Sequence, residues 1–273
     1  MKNSLLTRCF LYILLCFKLT SAQVNPITNI SVKEGLPSNK VYDLALGNAS
    51  TLWVATQNGI AAINGDKIRT YSEKDGLPHN DCWQIIEDDN QLIWVGTYGG
   101  GLSYFDGEKF TTIDEDNGLV YNKIRKLFYY NSNLYVGTQN GLSVVNTITK
   151  SVKNYKLKKN RLSVMDFFVF KDEIYLITFK TGSYKLTATD LVKVNDEKAL
   201  FAVTIKNDSL LFSKDGNAPS LNSIHKIATT DFLSNKKNYT KFGGSVFWDF
   251  ETVGSKTFGA AWGVNFDSGG LYE

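Results

Sequence analysis

Apolar positions in this chain come in short alternating runs, four to six residues long, punctuated by glycine and asparagine pairs. Leu52-Trp53-Val54-Ala55-Thr56 runs into Gln57-Asn58-Gly59, and Ile60 to Asn64 follows. Alternation with β-branched and aromatic content predicts strands, and an Asn-Gly or Gly-Gly pair, tolerant of positive φ, predicts a tight hairpin between them. The same phrase returns as Ile93-Trp94-Val95-Gly96-Thr97-Tyr98-Gly99-Gly100 and as Leu134-Tyr135-Val136-Gly137-Thr138-Gln139-Asn140-Gly141. The aromatic positions 53, 94 and 135 are 41 residues apart, and Tyr175 extends the series by 40. A second phrase keeps the same interval: Gly35-Leu36-Pro37-Ser38-Asn39, Gly76-Leu77-Pro78-His79-Asn80, and a degraded Gly118-Leu119-Val120-Tyr121-Asn122. A period near 40 with strand content predicts a repeated four-stranded unit, one blade of a β-propeller.

Within a unit, strand A follows the Gly-Leu-Pro phrase: Lys40 to Leu44, Asp81 to Ile86, Lys123 to Phe128. Strand B carries the Trp or Tyr phrase. Strand C is Ile60 to Asn64, Leu102 to Phe105 and Leu142 to Asn146; strand D is Lys67 to Tyr71 and Lys109 to Ile113. Later units fade. Asp166 to Leu186 holds a fourth, Leu200 to Ser213 a fifth, and Val246 to Tyr272 a sixth. The expectation is an all-β propeller of about six four-stranded blades, or a truncated piece of a larger one. The repeats fall near 27–71, 72–113, 114–155, 156–195, 196–240 and 241–273. Ile27 to Ile30 precedes Gly35 as Ile68 to Tyr71 precedes Gly76, so the chain is expected to open with a strand D and stop in a strand C. Such a first strand would complete the last blade and remove two exposed edges.

The first 22 residues change the reading of charge and compartment. Lys2 and Arg8 form a basic start before the apolar run Cys9 to Phe17, and Thr20-Ser21-Ala22 offers small residues for cleavage. This predicts a secretory signal, cut after Ala22, with the propeller over 23–273 in the periplasm or outside the cell. The run is too short to span a bilayer. Of 30 basic residues the signal takes three, Lys2, Arg8 and Lys18, leaving 27 against 27 acidic ones. A balanced chain gives no footprint for nucleic acid or an anionic membrane. Lys153, Lys156, Lys158, Lys159 and Arg161 form a local basic run that reads as a solvated loop. Cys82 is the single cysteine left, so an internal disulfide is excluded, and its apolar strand slot predicts a buried small side chain.

Candidate chemistry is sparse. His79 and His225 lie in different units with no metal-ligand spacing, and there is no G-x-S-x-G elbow or P-loop. The acidic stretches Asp114 to Gly118 and Glu87 to Asn90 lack the calcium-loop pattern. No metal or cofactor is expected. A glycosidase would need two carboxylates converging on the channel, and Asp43 and Asp81 hold different repeat slots.

Geometry suggests recognition instead. In a four-stranded meander the D–A and B–C loops share one rim, which gathers Asn39, Asn80, Asn122, Gln57, Asn58, Tyr98, Gln139 and Asn140, the asparagines being expected more as turn formers than as ligand contacts. One strand-A slot changes identity between units while the slot before it (Val41, Cys82, Ile124) stays apolar: Tyr42, Trp83, Arg125. Aromatic faces and a guanidinium at a channel mouth suit a sugar ring and an acidic substituent; packing between blades is the alternative role for Tyr42 and Trp83.

At Gly-Leu-Pro-x-Asn and Leu-Trp-Val-Gly-Thr-x-x-Gly-Gly-Leu the chain resembles the two-component regulator propeller repeat family, well over 27–146 and weakly over 160–273. The resemblance implies a periplasmic sensor region of a hybrid histidine kinase, so the chain is expected to sense an extracytoplasmic ligand. No kinase motif and no second long apolar run occurs here. The expected partners are an oligosaccharide, a second copy of the chain, and a kinase only if the chain is a receptor fragment. A propeller glycosidase or lyase and a pure protein-interaction platform are the rival readings.

Overall fold

The computed structural model describes residues 29–215, 223–243, 246–253, 256–262 and 270–272. The expected signal at 1–22, and Ile27 and Thr28 of the expected opening strand, lie outside them; Asn29 and Ile30 are in no strand. From Ser31 onward the chain forms one compact unit.

Six antiparallel meanders follow one another. The first is β1 (Val41–Leu46), β2 (Leu52–Thr56), β3 (Gly59–Asn64) and β4 (Lys67–Tyr71). The second is β5 (Cys82–Glu87), β6 (Ile93–Thr97), β7 (Leu102–Phe105) and β8 (Phe110–Ile113); the third is β9 (Ile124–Tyr130), β10 (Asn133–Thr138), β11 (Gly141–Asn146) and β12 (Val152–Tyr155). The fourth is β13 (Val164–Phe170), β14 (Glu173–Thr178), β15 (Ser183–Leu186) and β16 (Leu191–Asn195). The fifth is β17 (Leu200–Lys206), β18 (Ser209–Lys214), β19 (Ser223–Ala228) and β20 (Thr240–Gly243), with a short helix α1 (Thr229–Leu233) between its last two strands. The sixth has three strands among the described residues: β21 (Val246–Val253), β22 (Lys256–Trp262) and β23 (Gly270–Tyr272). The first strand of each meander packs beside the first strand of the next, which is the arrangement of propeller blades about an axis.

The cores lie between blades. Trp53, Tyr71, Cys82, Ile85, Val95 and Phe105 pack the first against the second, with the Trp53 and Phe105 rings 6.2 Å apart edge to face. Trp94, fully buried, packs with Ile124, Leu127 and Val136 of the third blade. Tyr135 meets Phe167 across the next interface at 6.3 Å. The small residue in the strand-B phrase serves the same contact. A Cβ on Gly96 would lie 2.6 Å from Ile124 Cγ2, and one on Gly137 would lie 2.7 Å from Val164 Cγ1, so glycine sets how closely the blades approach. Cys82 is fully buried, and burial pushes its thiol up to about 12, in keeping with an inert packing role.

The Gly-Leu-Pro-x-Asn phrase builds the joint between blades. Gly76 and Gly118 end short 3-10 turns at φ 102° and 118°, and Gly35 has φ 120°, a region that favours glycine. Each turn is closed by a reciprocal cap: Ser72 with Asp75 and Asp114 with Asn117, and Glu34 folds back on Ser31. The asparagine of the phrase then ties the turn down. Asn39, Asn80 and Asn122 accept through Oδ1 from the N–H groups of Val32, Glu73 and Glu115 at 2.8–2.9 Å. The same asparagines join adjacent blades through the backbone, since Gly59 N–H donates to Asn80 O at 2.7 Å and Gly101 N–H to Asn122 O at 3.1 Å.

Candidate functional site

Each blade's first strand forms one border of its sheet, so a row of its N–H and C=O groups has no ladder partner. Near its start the register slips by one residue in five blades. The break falls between Val41 and Asp43, Cys82 and Gln84, Ile124 and Lys126, Val164 and Asp166, and Phe247 and Asp249; the fifth blade skips two residues between Leu200 and Val203. These are β-bulges, which re-aim a side chain. The bulged residues are Tyr42, Trp83, Arg125, Met165, Phe201 and Trp248, and all six line one cavity of about 530 Å³. The residue before each bulge stays apolar: Cys82, Ile124, Val164, Leu200 and Phe247 are buried, and Val41 is partly exposed.

The residue after each bulge answers the border N–H groups. Asp43 Oδ2 accepts from Ile85 N–H of the next blade at 2.9 Å, Gln84 Oε1 from Leu127 N–H at 3.2 Å, and Asp166 Oδ2 from Val203 N–H at 2.9 Å. The second oxygens of Asp43 and Asp166 accept from the following residues, Leu44 and Phe167. In the third blade this slot holds Lys126, whose Nζ donates to Asp249 Oδ1 at 2.7 Å and lies 3.5 Å from Asp166 Oδ1. Three blades are thereby linked through one ammonium. Burial alone would lower the Lys126 pKa, but the Asp166 and Asp249 carboxylates outweigh it and raise it. Burial pushes Asp43 up to about 7 against the pull of Lys126, and it raises Asp166 as well.

Around the mouth the aromatic groups pack on one another. Trp83 stacks on Tyr98 with ring centroids 4.4 Å apart and planes 13° apart, and Tyr42 tilts against Trp83 at 5.4 Å. Lys40 sits over the Tyr42 ring at 5.2 Å and Lys123 over Tyr98 at 5.1 Å. The Tyr98 hydroxyl accepts from Gln139 Nε2 at 3.1 Å; Gln139 Oε1 accepts from Arg161, which also donates to the Tyr121 hydroxyl. The rest of the basic run is exposed, but Lys153 lies in β12 and its Nζ donates to Ala188 O of the next blade.

Of the residues chosen from sequence, Tyr42, Trp83 and Arg125 line the cavity, and Tyr98 and Gln139 back it. Asn39, Asn80 and Asn122 do not line it; their amide oxygens are engaged in the turns. Gln57 is exposed and Asn58 donates to Pro37 O, both away from the cavity lining. Sequence reasoning did not reach Met165, Phe201 and Trp248, nor the polar slot of Gln84, Lys126 and Asp249. A usable signal exists: each bulged residue lies 10 or 11 positions before the strand-B slot held by Trp53, Trp94, Tyr135, Tyr175, Leu211 and Phe258.

The histidines stand apart from this site. His79 Nδ1 accepts from Asp81 N–H at 3.0 Å, and His225 is buried, stacked on Phe212 and bonded to Ser223. No group of metal-ligating side chains occurs among the described residues. No described helix is long and apolar enough to cross a membrane.

Six meanders whose first strands each bulge a side chain into one shared cavity define the chain as a β-propeller repeat protein. Residues 76–99 match the family described as two component regulator propeller. The fold is similar to that of the extracellular domain of BT4673 from B. thetaiotaomicron, in one structure assigned to a one-component system (TM-score 0.65, 16% identity, 86% of this chain and 36% of that one). In a second structure it is assigned to a hybrid two-component system (TM-score 0.60, 17% identity, 81% and 34%). It is also similar to PorZ, a surface component of the type-IX secretion system of Porphyromonas gingivalis (TM-score 0.57, 11% identity, 85% and 36%). The chain spans about a third of the length of these proteins. No curated protein sequence matches it.

Proposed function

We propose that this chain is an extracytoplasmic recognition propeller, a sensor region of the two-component regulator type, that takes a glycan or similar small ligand into its axial cavity. The observation that carries the reading is the bulge ring. A register slip kept in six blades delivers Tyr, Trp, Arg, Met, Phe and Trp to one space, while the residues before them stay apolar. A slot with a purely structural role tends to repeat its residue type, as Trp53, Trp94 and Tyr135 do. A concave space lined by aromatic and apolar side chains together with placed polar groups is the usual form of a small-molecule site. The repeat match over 76–99, the fold shared with extracellular domains of one- and two-component systems, and the signal-like first 22 residues support this reading of location and role.

Calorimetry of the purified protein against an oligosaccharide panel tests this. Tyr42 has ring contacts with Trp83 and Lys40 at the mouth, so Tyr42→Ala should weaken binding about tenfold or more with little change in melting temperature. Unchanged affinity in a folded variant would place the ligand elsewhere. Release of reducing ends from the panel would favour a glycosidase or lyase, and capture of a partner protein with no small-molecule heat would favour an interaction platform.

A further inference from the structure

We infer that the cavity selects a ring ligand carrying a carboxylate, which it holds through Arg125 and the indole N–H of Trp83. This rests on the cavity being the ligand site. The aromatic faces that the sequence offered for stacking are largely taken up. Tyr98 covers one face of Trp83, and Tyr42 leans on the ring as well. What remains are donors. Trp83 Nε1–H and Arg125 Nε–H are both buried and without a hydrogen-bond partner among the described residues, and both side chains line the cavity. Arg125 Nη1 has a weak contact with Met165 Sδ at 3.6 Å. No carboxylate pairs with the guanidinium among the described residues, while burial, opposed by Tyr98 and joined by the Arg161 charge, disfavours its charged form. The carboxylate on the cavity wall, Asp249, is held by Lys126.

A buried donor left unmade is costly, more so when charged, so two such groups on side chains that line one space favour acceptor oxygens there. A carboxylate meets it best, because its two oxygens match the forked N–H groups of a guanidinium. Neutral hydroxyls would leave the arginine charge uncompensated.

The two N–H groups are directly observable. In ¹⁵N–¹H spectra of the whole protein, the Arg125 ε and Trp83 indole resonances should move on titration with sodium glucuronate at tens of millimolar. They should not move with glucose, nor with sodium chloride at equal ionic strength, and Arg125→Gln should abolish the Trp83 shift while leaving the rest of the spectrum folded. Equal movement with glucose would overturn the acid preference and leave the cavity as a ligand site. Equal movement with sodium sulfate would mark a site for bare oxyanions and overturn the sugar acid. No movement with either sugar would overturn both readings.

Discussion

Trp94 offers the sharpest test of how the blades cohere. It is fully buried, packs with Ile124, Leu127 and Val136 of the following blade, and lies 4.9 Å from the Tyr104 ring. Its indole N–H donates to Asp88 Oδ2 at 2.9 Å, while Asp88 Oδ1 accepts from the N–H groups of Asn90 and Leu92. Trp94→Ala removes the packing and orphans one carboxylate oxygen. Large-to-small aromatic truncation costs about 3–5 kcal/mol. Trp94→Phe keeps most of the packing and removes the N–H with two ring carbons, for about 1–3 kcal/mol. At about 2–4 °C per kcal/mol for a domain of this size, the alanine variant should melt roughly 10 °C lower and the phenylalanine variant a few degrees lower. Thermal melts by circular dichroism and calorimetry, run side by side, read both. Two variants that melt with the parent would refute the register that places this slot between blades. Equal losses in both would refute the partition between packing and hydrogen bond.

Two further outcomes follow from other parts of the molecule. Asp43 has its pKa raised from 3.8 to about 7, so between those values the folded state holds a proton that the unfolded chain has released. Stability must therefore fall as pH rises from about 4 to 7 and level off above, by roughly 4 kcal/mol for a shift of about three units. Asp43→Asn keeps one acceptor for Ile85 N–H but not a second for Leu44 N–H, so it should be the less stable protein at pH 5 and lose little more by pH 8; a parent-to-variant gap that does not narrow across that range would show that Lys126 and Asp249 hold Asp43 otherwise. Deleting residues 24–30 tests the expectation from sequence that Ile27 to Ile30 closes the last blade, since an uncovered border strand should bring aggregation or a broadened melt; a deletion variant that melts like the parent would remove that idea.

The blades were legible because the strand phrases, the Asn-Gly hairpins and the 41-residue interval are local signals that survive in the first three units. The Trp53, Trp94 and Tyr135 slot was readable for the same reason, and it packs between blades. The ring of the cavity was only half readable. Tyr42, Trp83 and Arg125 sit beside recognisable Gly-Leu phrases, whereas Met165, Phe201 and Trp248 follow loops that have lost them. The stacking of Tyr98 on Trp83 joins residues 15 apart through a bulge that no composition rule marks. The axial ion cluster is less visible still, because Lys126, Asp166 and Asp249 meet only when three blades are in place. The asparagines were the opposite case. Ser31 to Glu34, Ser72 to Asp75 and Asp114 to Asn117 carry the capping-box spacing, a local pattern that by itself points to turn-forming work for Asn39, Asn80 and Asn122.

The central claim is that the ligand sits on the propeller axis. The direct measurement is a crystal structure of the protein with the tightest-binding oligosaccharide from the calorimetric panel. Ligand density is predicted inside the ring of Tyr42, Trp83, Arg125, Met165, Phe201 and Trp248. Density on the outer strands of the blades, with that ring unoccupied, would contradict it.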